Sequence, residues 1–496
     1  MNSRQGTRPL AGAHRLIGLV LAFAPLPAAA QIGPLTNQGL FFDRASNPRG
    51  GNYLAADAGL IYTDNVTRAA NGSGDTLALL GLLADASREG ARLDYRLAAD
   101  LALVKYPRAD YQTQPFGYLD GTGAIRIVPG SFSWTGRETY TQTVIDPFAP
   151  VTPDNLEGLN YLTTGPRFTL RPTLRTTVTL NGTYSYLTSS SKSPLYVNID
   201  NHRYAGDLTL SHTFSSSSSA YLTGSSEKVE FTDQVDNNNF RQDQALAGLK
   251  VASARTVLDV SGGYTRLHEV VLATVATAPG ELPQSQVPGG SVWRVELSRQ
   301  ISPSSRLSLH AVKQVTDAAN LFRLNLDQPV PAAAADRLTT GDPFTDRELG
   351  ANWRFVAART SFTLGYLDIR ERYKINPASD RNVKDATALL ARALSPVLNW
   401  DIGAEYERQE FAAGGSSSTV NALTSLRWQI APQLRLRFLY AHSALTPHGY
   451  AENQVGVTAS YAFIEAAPGN AQPGVQPAAP PTLDPGMPPG APARPP

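Results

Sequence analysis

Charged side chains recur at even spacing in the second half of the chain: Arg294 with Glu296, Asp368 with Arg370 and Arg372, Asp401 with Glu405 and Glu407, Arg435 with Arg437. In a β-strand even spacing puts such groups on one face, so they would line a surface instead of converging on one atom. Paired carboxylates such as Glu405 and Glu407, or Asp368 and Glu371, are the raw material of glycoside hydrolysis. A hydrated wall would need the same residues. Nucleophilic catalysis needs a base beside the nucleophile and a group to orient it. Here His202, His212, His268, His310, His442 and His448 stand singly, with neither an H-E-x-x-H nor a G-x-S-x-G motif. The oxygen-rich run Asp233–Asn239 has ligands of the kind Ca²⁺ takes, yet an ordinary polar loop accounts for it. No catalytic residue, metal site or cofactor is therefore expected.

The elements that must carry these charges alternate apolar and polar positions. Leu174, Thr176, Val178, Leu180, Gly182, Tyr184 and Tyr186 alternate with Thr177, Thr179, Asn181, Thr183 and Ser185. Trp293, Val295 and Leu297 flank Arg294 and Glu296; Trp400, Ile402, Ala404 and Tyr406 flank Asp401 and Glu405. A soluble sandwich shows the same period. The connections separate the two: tight turns such as Pro129-Gly130, Ser302–Ser304 and Ser395-Pro396 alternate strictly with longer polar loops such as Asp64–Asp75, Glu269–Gly290 and Thr316–Asp342. This is the rhythm of an outer-membrane barrel, with short periplasmic turns and longer extracellular loops. The pattern predicts an all-β, antiparallel up-and-down transmembrane barrel of about 20 strands, within 18–22, over residues 52–463 of the chain. A barrel that wide is not filled by its own side chains. Arg294, Glu296, Asp368, Arg370, Asp401, Glu405, Arg435 and Arg437 are thus the candidate channel lining, either facing water or bracing the wall as salt bridges. Their mixed signs argue against strong ion selectivity. Thr316–Asp342 and Glu269–Gly290 are long enough to fold inward as a constriction.

The last alternating run places Val455, Val457, Ala459, Tyr461 and Phe463 on one face, with Gly456, Thr458, Ser460 and Ala462 on the other. It is the expected closing strand, facing lipid, and its Tyr-x-Phe ending resembles the aromatic ending that barrel assembly machinery reads in outer-membrane barrels, except that here residues follow it. At the other end, Arg4, Arg8 and Arg15 precede the short apolar run Leu16–Phe23 and the sequence Ala28-Ala29-Ala30. This predicts a signal peptide over 1–30, cleaved after Ala30, and then a periplasmic segment, 31–51. Residues 464–496, rich in Pro, Ala and Gly, predict a disordered periplasmic tail. The chain has no cysteine, which excludes disulfides and a lipidated Cys. Charged residues make up 17% of it, below the roughly 25% of soluble domains, and the two signs nearly balance, giving no electrostatic case for nucleic acid.

Several stretches carry a resemblance. Gly59–Arg68, Thr141–Phe148 followed by Thr152–Asn155 and Thr164–Pro166, Asn201–Gly206 and Val229–Phe231 resemble outer-membrane β-barrel proteins of exopolysaccharide and PEP-CTERM-associated gene clusters. The resemblance implies a barrel in the cell outer membrane that takes part in exopolysaccharide export by passive passage through a hydrated lumen. The partners it implies are outer-membrane lipid, the assembly machinery, the polymer and periplasmic export proteins. A general porin for small solutes, or a structural or adhesin barrel at the surface, are the alternatives.

Overall fold

The computed structural model describes residues 52–465, apart from 110, 112–113, 146–148, 191–197, 234–238, 269–288, 319, 321–340, 374–376, 413 and 448. The expected signal peptide, segment 31–51, most of the two longest loops, the centre of the Asp233–Asn239 run and the tail beyond 465 lie outside the described residues.

The strands are β1 (Tyr53–Thr63), β2 (Asp75–Arg88), β3 (Leu93–Lys105), β4 (Gln114–Val128), β5 (Phe132–Val144), β6 (Leu156–Leu170), β7 (Thr176–Ser189), β8 (Asn201–Ser215), β9 (Ser218–Phe231) and β10 (Phe240–Ala252). They continue as β11 (Thr256–His268), β12 (Gly290–Ser302), β13 (Ser305–Thr316), β14 (Phe344–Val356), β15 (Thr360–Tyr373), β16 (Arg381–Ser395), β17 (Leu398–Phe411), β18 (Ser416–Gln429), β19 (Leu434–Thr446) and β20 (Tyr450–Glu465). Each pairs antiparallel with its neighbours in sequence, and β20 returns to pair with β1, so the 20-stranded sheet closes on itself. Closure satisfies every edge, which a sheet in hydrocarbon requires. The tight turns gather at one end of the barrel and the longer loops at the other, as the connection lengths predict.

The strands run from 11 to 16 residues, whereas about 9–11 cross the hydrocarbon, so they project beyond it. Within the crossing the outer face is apolar: Trp400 and Tyr406 of β17, Leu364 and Tyr366 of β15, and Val455, Val457, Tyr461 and Phe463 of β20 all point outward and are exposed. Tyr461 and Phe463 meet edge to face with ring centroids 5.4 Å apart. They form the closing strand as expected, although β20 itself begins at Tyr450, earlier than the apolar alternation. The seam is tight. A Cβ on Gly59 of β1 would lie 2.6 Å from Thr458 Cγ2, and one on Gly456 of β20 would lie 2.8 Å from Ile61 Cγ1. Both positions therefore demand glycine for close approach.

Candidate functional site

The inner face of the barrel changes character along its length. From mid-wall toward the tight turns several charged inward groups are partly exposed to the lumen, although Ala55, Asp57, Thr179 and Ser425 on the same side are buried. Arg294 and Glu296 of β12 are each about 40% exposed and pair with each other, Nη2 to Oε1, at 2.5 Å. Asp401 of β17 accepts two hydrogen bonds of 2.8 Å from Arg427 of β18, and a third from Ser425. Arg435 of β19 lies 5.5 Å from the ring centroid of Tyr53, and Arg437 stands two residues on, on the same inward face. Arg167 of β6 donates to Asn181 of β7, which donates to Asp207 of β8. The Arg294–Glu296 and Asp401–Arg427 pairs brace the wall while presenting mixed polarity to water.

Toward the long loops the inward groups are buried. Thr265, Asp346, Glu371, Arg381, Asp385 and Ser443 are at most 1% exposed although all point inward. An inward residue without exposure is covered by its neighbours, so on this side much of the inner wall is packed instead of lined by water. Glu405, assigned from sequence to a hydrated wall, belongs here: it is 8% exposed and accepts from Asn421 Nδ2 at 3.0 Å, and its neighbour Glu407 is 4% exposed.

Three buried arginines hold this packed side together. Arg203 of β8 donates from Nη1 and Nη2 to both carboxylate oxygens of Asp317 at 2.9 and 2.8 Å, with Glu227 of β9 at 3.6 Å. Asp317 stands at the root of the β13–β14 loop, and Asn320, three residues on, donates to Glu227. The root of that loop is thereby tied to β8 and β9, while the rest of the expected constriction lies outside the described residues. Arg381 of β16 donates to Glu371 of β15 at 2.8 Å and to Gln409 of β17 at 3.2 Å, with the Tyr373 hydroxyl also on Glu371. The third, Arg68, sits between β1 and β2 with the unusual φ of +50°. Its Nε donates to Glu452 of β20 at 2.7 Å and its Nη1 to the Val151 carbonyl at 2.6 Å. Burial works to lower the Arg68 pKa, and the Glu452 carboxylate outweighs it and leaves the pKa raised. Paired and hydrogen-bonded in this way, a buried charge is tolerated.

Apolar packing completes the closure beside Arg68. Val66 and Tyr106, from the β1–β2 and β3–β4 connections, bury against inward Ile61, Leu79, Val104 and Phe116. Asp75 fixes the second of these connections by accepting from the Arg108 and Ala109 amides at 3.1 and 2.9 Å.

Asp368 and Arg370 require a correction. They point outward, as does Arg372, on the face that carries Leu364 and Tyr366, whereas Leu367 and Ile369 face inward and are buried. The physical reason is that polar-in, apolar-out holds only within the hydrocarbon. Where β15 rises past it, the outer face meets water and the inner face packs. Sequence reasoning also missed Arg427, Arg203, Arg381 and Arg68. Arg427 carried a usable signal, since it continues the inward face of Ser425 next to Trp428.

No family model matches this chain, and no curated protein matches it. Among solved structures it is similar to the siderophore receptor PirA from Pseudomonas aeruginosa, at 9% identity and a TM-score of 0.44, covering 84% of this chain and 81% of that one. The FrpB iron transporter from Neisseria meningitidis gives 8%, 0.44, 83% and 81% in the same order. A loop-deleted OmpT, an outer membrane protein of Vibrio cholerae, gives 10%, 0.31, 83% and 98%. At such identities the likeness carries no correspondence between residues.

Proposed function

We propose that this outer-membrane barrel is a passive, gated channel serving exopolysaccharide export. The observation that supports it best is the contrast along the lumen: partly exposed charges at mid-wall and toward the turns, and many inward groups with no exposure toward the loops. With short turns in the periplasm, a vestibule faces the side on which a polymer made by the cell arrives, and the closure faces outward. Hydroxyl and mixed-charge walls suit a hydrated polysaccharide because they offer many weak hydrogen bonds and no strong trap. The barrel itself performs no chemistry. Synthesis behind it supplies the push, periplasmic export proteins deliver the chain, and the loop-side closure acts as gate.

The test is deletion of the gene, with secreted polymer measured against polymer held in the periplasm. Export predicts loss of the first and gain of the second; normal secretion would sink the reading. A general porin predicts steady conductance in planar bilayers from the unaltered protein and no polymer phenotype. The buried loop-side half weighs against that alternative.

A further inference from the structure

The outer face above the apolar belt is divided. From β9 to β17 the outward positions past the belt are charged: Lys228, Arg241, Arg266, Lys313, Arg347, Arg370, Arg372, Lys384 and Arg408, against Glu230, Asp243, Asp368 and Glu410. On β18, β19, β20, β1 and β2 the corresponding loop-side positions carry no Lys, Arg, Asp or Glu. The charged arc begins directly above outward aromatics that mark the interface, Tyr264, Trp293, Tyr366 and Tyr406.

Register makes the arc unusual. Lys228 sits directly opposite Arg241, Lys384 directly opposite Arg408, and Lys313, Arg347 and Arg370 form one row across three strands. Like charges in direct cross-strand opposition are destabilising. Most members have local relief, since Lys228 reaches Glu230 at 2.6 Å, Arg241 reaches Asp243 and Arg370 reaches Asp368 at 3.1 Å, Arg408 reaches Glu410 at 2.8 Å, and Asp368 stands in register opposite Lys384. Arg347 and Lys384 make no ion pair among the described residues, and both are exposed. An anion seated between the rows removes the repulsion. Arg forks bind phosphate bidentately, and such pairs are among the stronger hydrogen bonds.

We propose that the arc from β9 to β17 is a docking surface for the phosphate groups of an anionic glycolipid of the outer leaflet, held against the wall with its acyl chains on the apolar belt below. The height of the arc fits this occupant: phosphates of a lipid lie at the interface that the aromatics mark. The inference is independent of what crosses the lumen.

The experiment uses full-length protein in detergent, stripped of lipid, mixed with lipid A carrying both phosphates or with dephosphorylated lipid A, and native mass spectrometry to count retained lipid. The unaltered protein is expected to retain phosphorylated lipid A and to lose it at high salt. Retention of the dephosphorylated form should be at least about fivefold lower. Arg347→Gln combined with Arg370→Gln and Lys384→Gln should show a similar loss, while Lys105→Gln, an exposed outward lysine outside the arc, should match the unaltered protein. Equal retention of both lipid forms, or full retention by the triple variant, overturns the proposal, as does an arc that pairs with a second barrel and excludes lipid. Should the triple variant not fold, the phosphate comparison on the unaltered protein decides alone.

Discussion

The two ends of the lumen are built from the same side-chain types and differ in what surrounds them. Arg294 with Glu296 at mid-wall and Arg381 with Glu371 near the loops are both Arg–Glu pairs of good geometry. The first sits in water, where ion pairs contribute little, roughly 0–1 kcal/mol. The second is cut off from water, where removing one partner strands a charge and costs about 3–5 kcal/mol. The same chemistry therefore contributes little where water reaches it and locks a structure where water does not.

The sharpest way to break this contrast is Asp317→Ala, which leaves buried Arg203 with only the more distant Glu227 carboxylate and weakens the hold on the root of the β13–β14 loop. Stability should fall by about 3–5 kcal/mol, read as loss of the folded, heat-modifiable band at lower temperature. Planar-bilayer current should rise because the closure loosens. An unchanged current would separate this anchor from gating. Glu371→Ala should destabilise to a similar degree, through Arg381, with a smaller rise in current, because it joins neighbouring strands of the wall and no loop.

At the open end the effect moves from stability to selectivity. Arg435→Ala with Arg437→Ala should shift the reversal potential toward cations at nearly unchanged unfolding temperature; identical current and selectivity would remove both residues from the lining. Arg294→Ala with Glu296→Ala removes a pair of zero net charge, so stability should change by less than about 1 kcal/mol after solvent screening and selectivity hardly at all. Smallest of all is Arg370→Gln, which stands outside the barrel: any measurable change in conductance would contradict its placement.

The barrel was legible because lipid and water impose opposite demands on the two faces of each strand, and Val455–Phe463 or Trp400–Tyr406 record those demands residue by residue. Turn and loop lengths added the topology. The site was legible only in part. Arg294, Glu296, Asp401, Arg435 and Arg437 lie within the crossing, where a polar position means an inward one. Asp368 and Arg370 lie above it, and there the rule reverses. The buried anchors left no local trace: Arg203 and Asp317 are separated by more than a hundred positions, and only the closed sheet brings β8 opposite the root of the β13–β14 loop.

The seam between β1 and β20 has a bearing on the calibre of the whole tube. For a fixed number of strands, the diameter of a barrel follows from its stagger, the net slip accumulated in going once around the sheet. That slip is settled where the first strand meets the last. In the observed register Thr458 sits over Gly59 and Ile61 over Gly456, so each large side chain at the seam faces a glycine. Bulk at either glycine would push the first and last strands apart at the one joint through which the whole circumference closes.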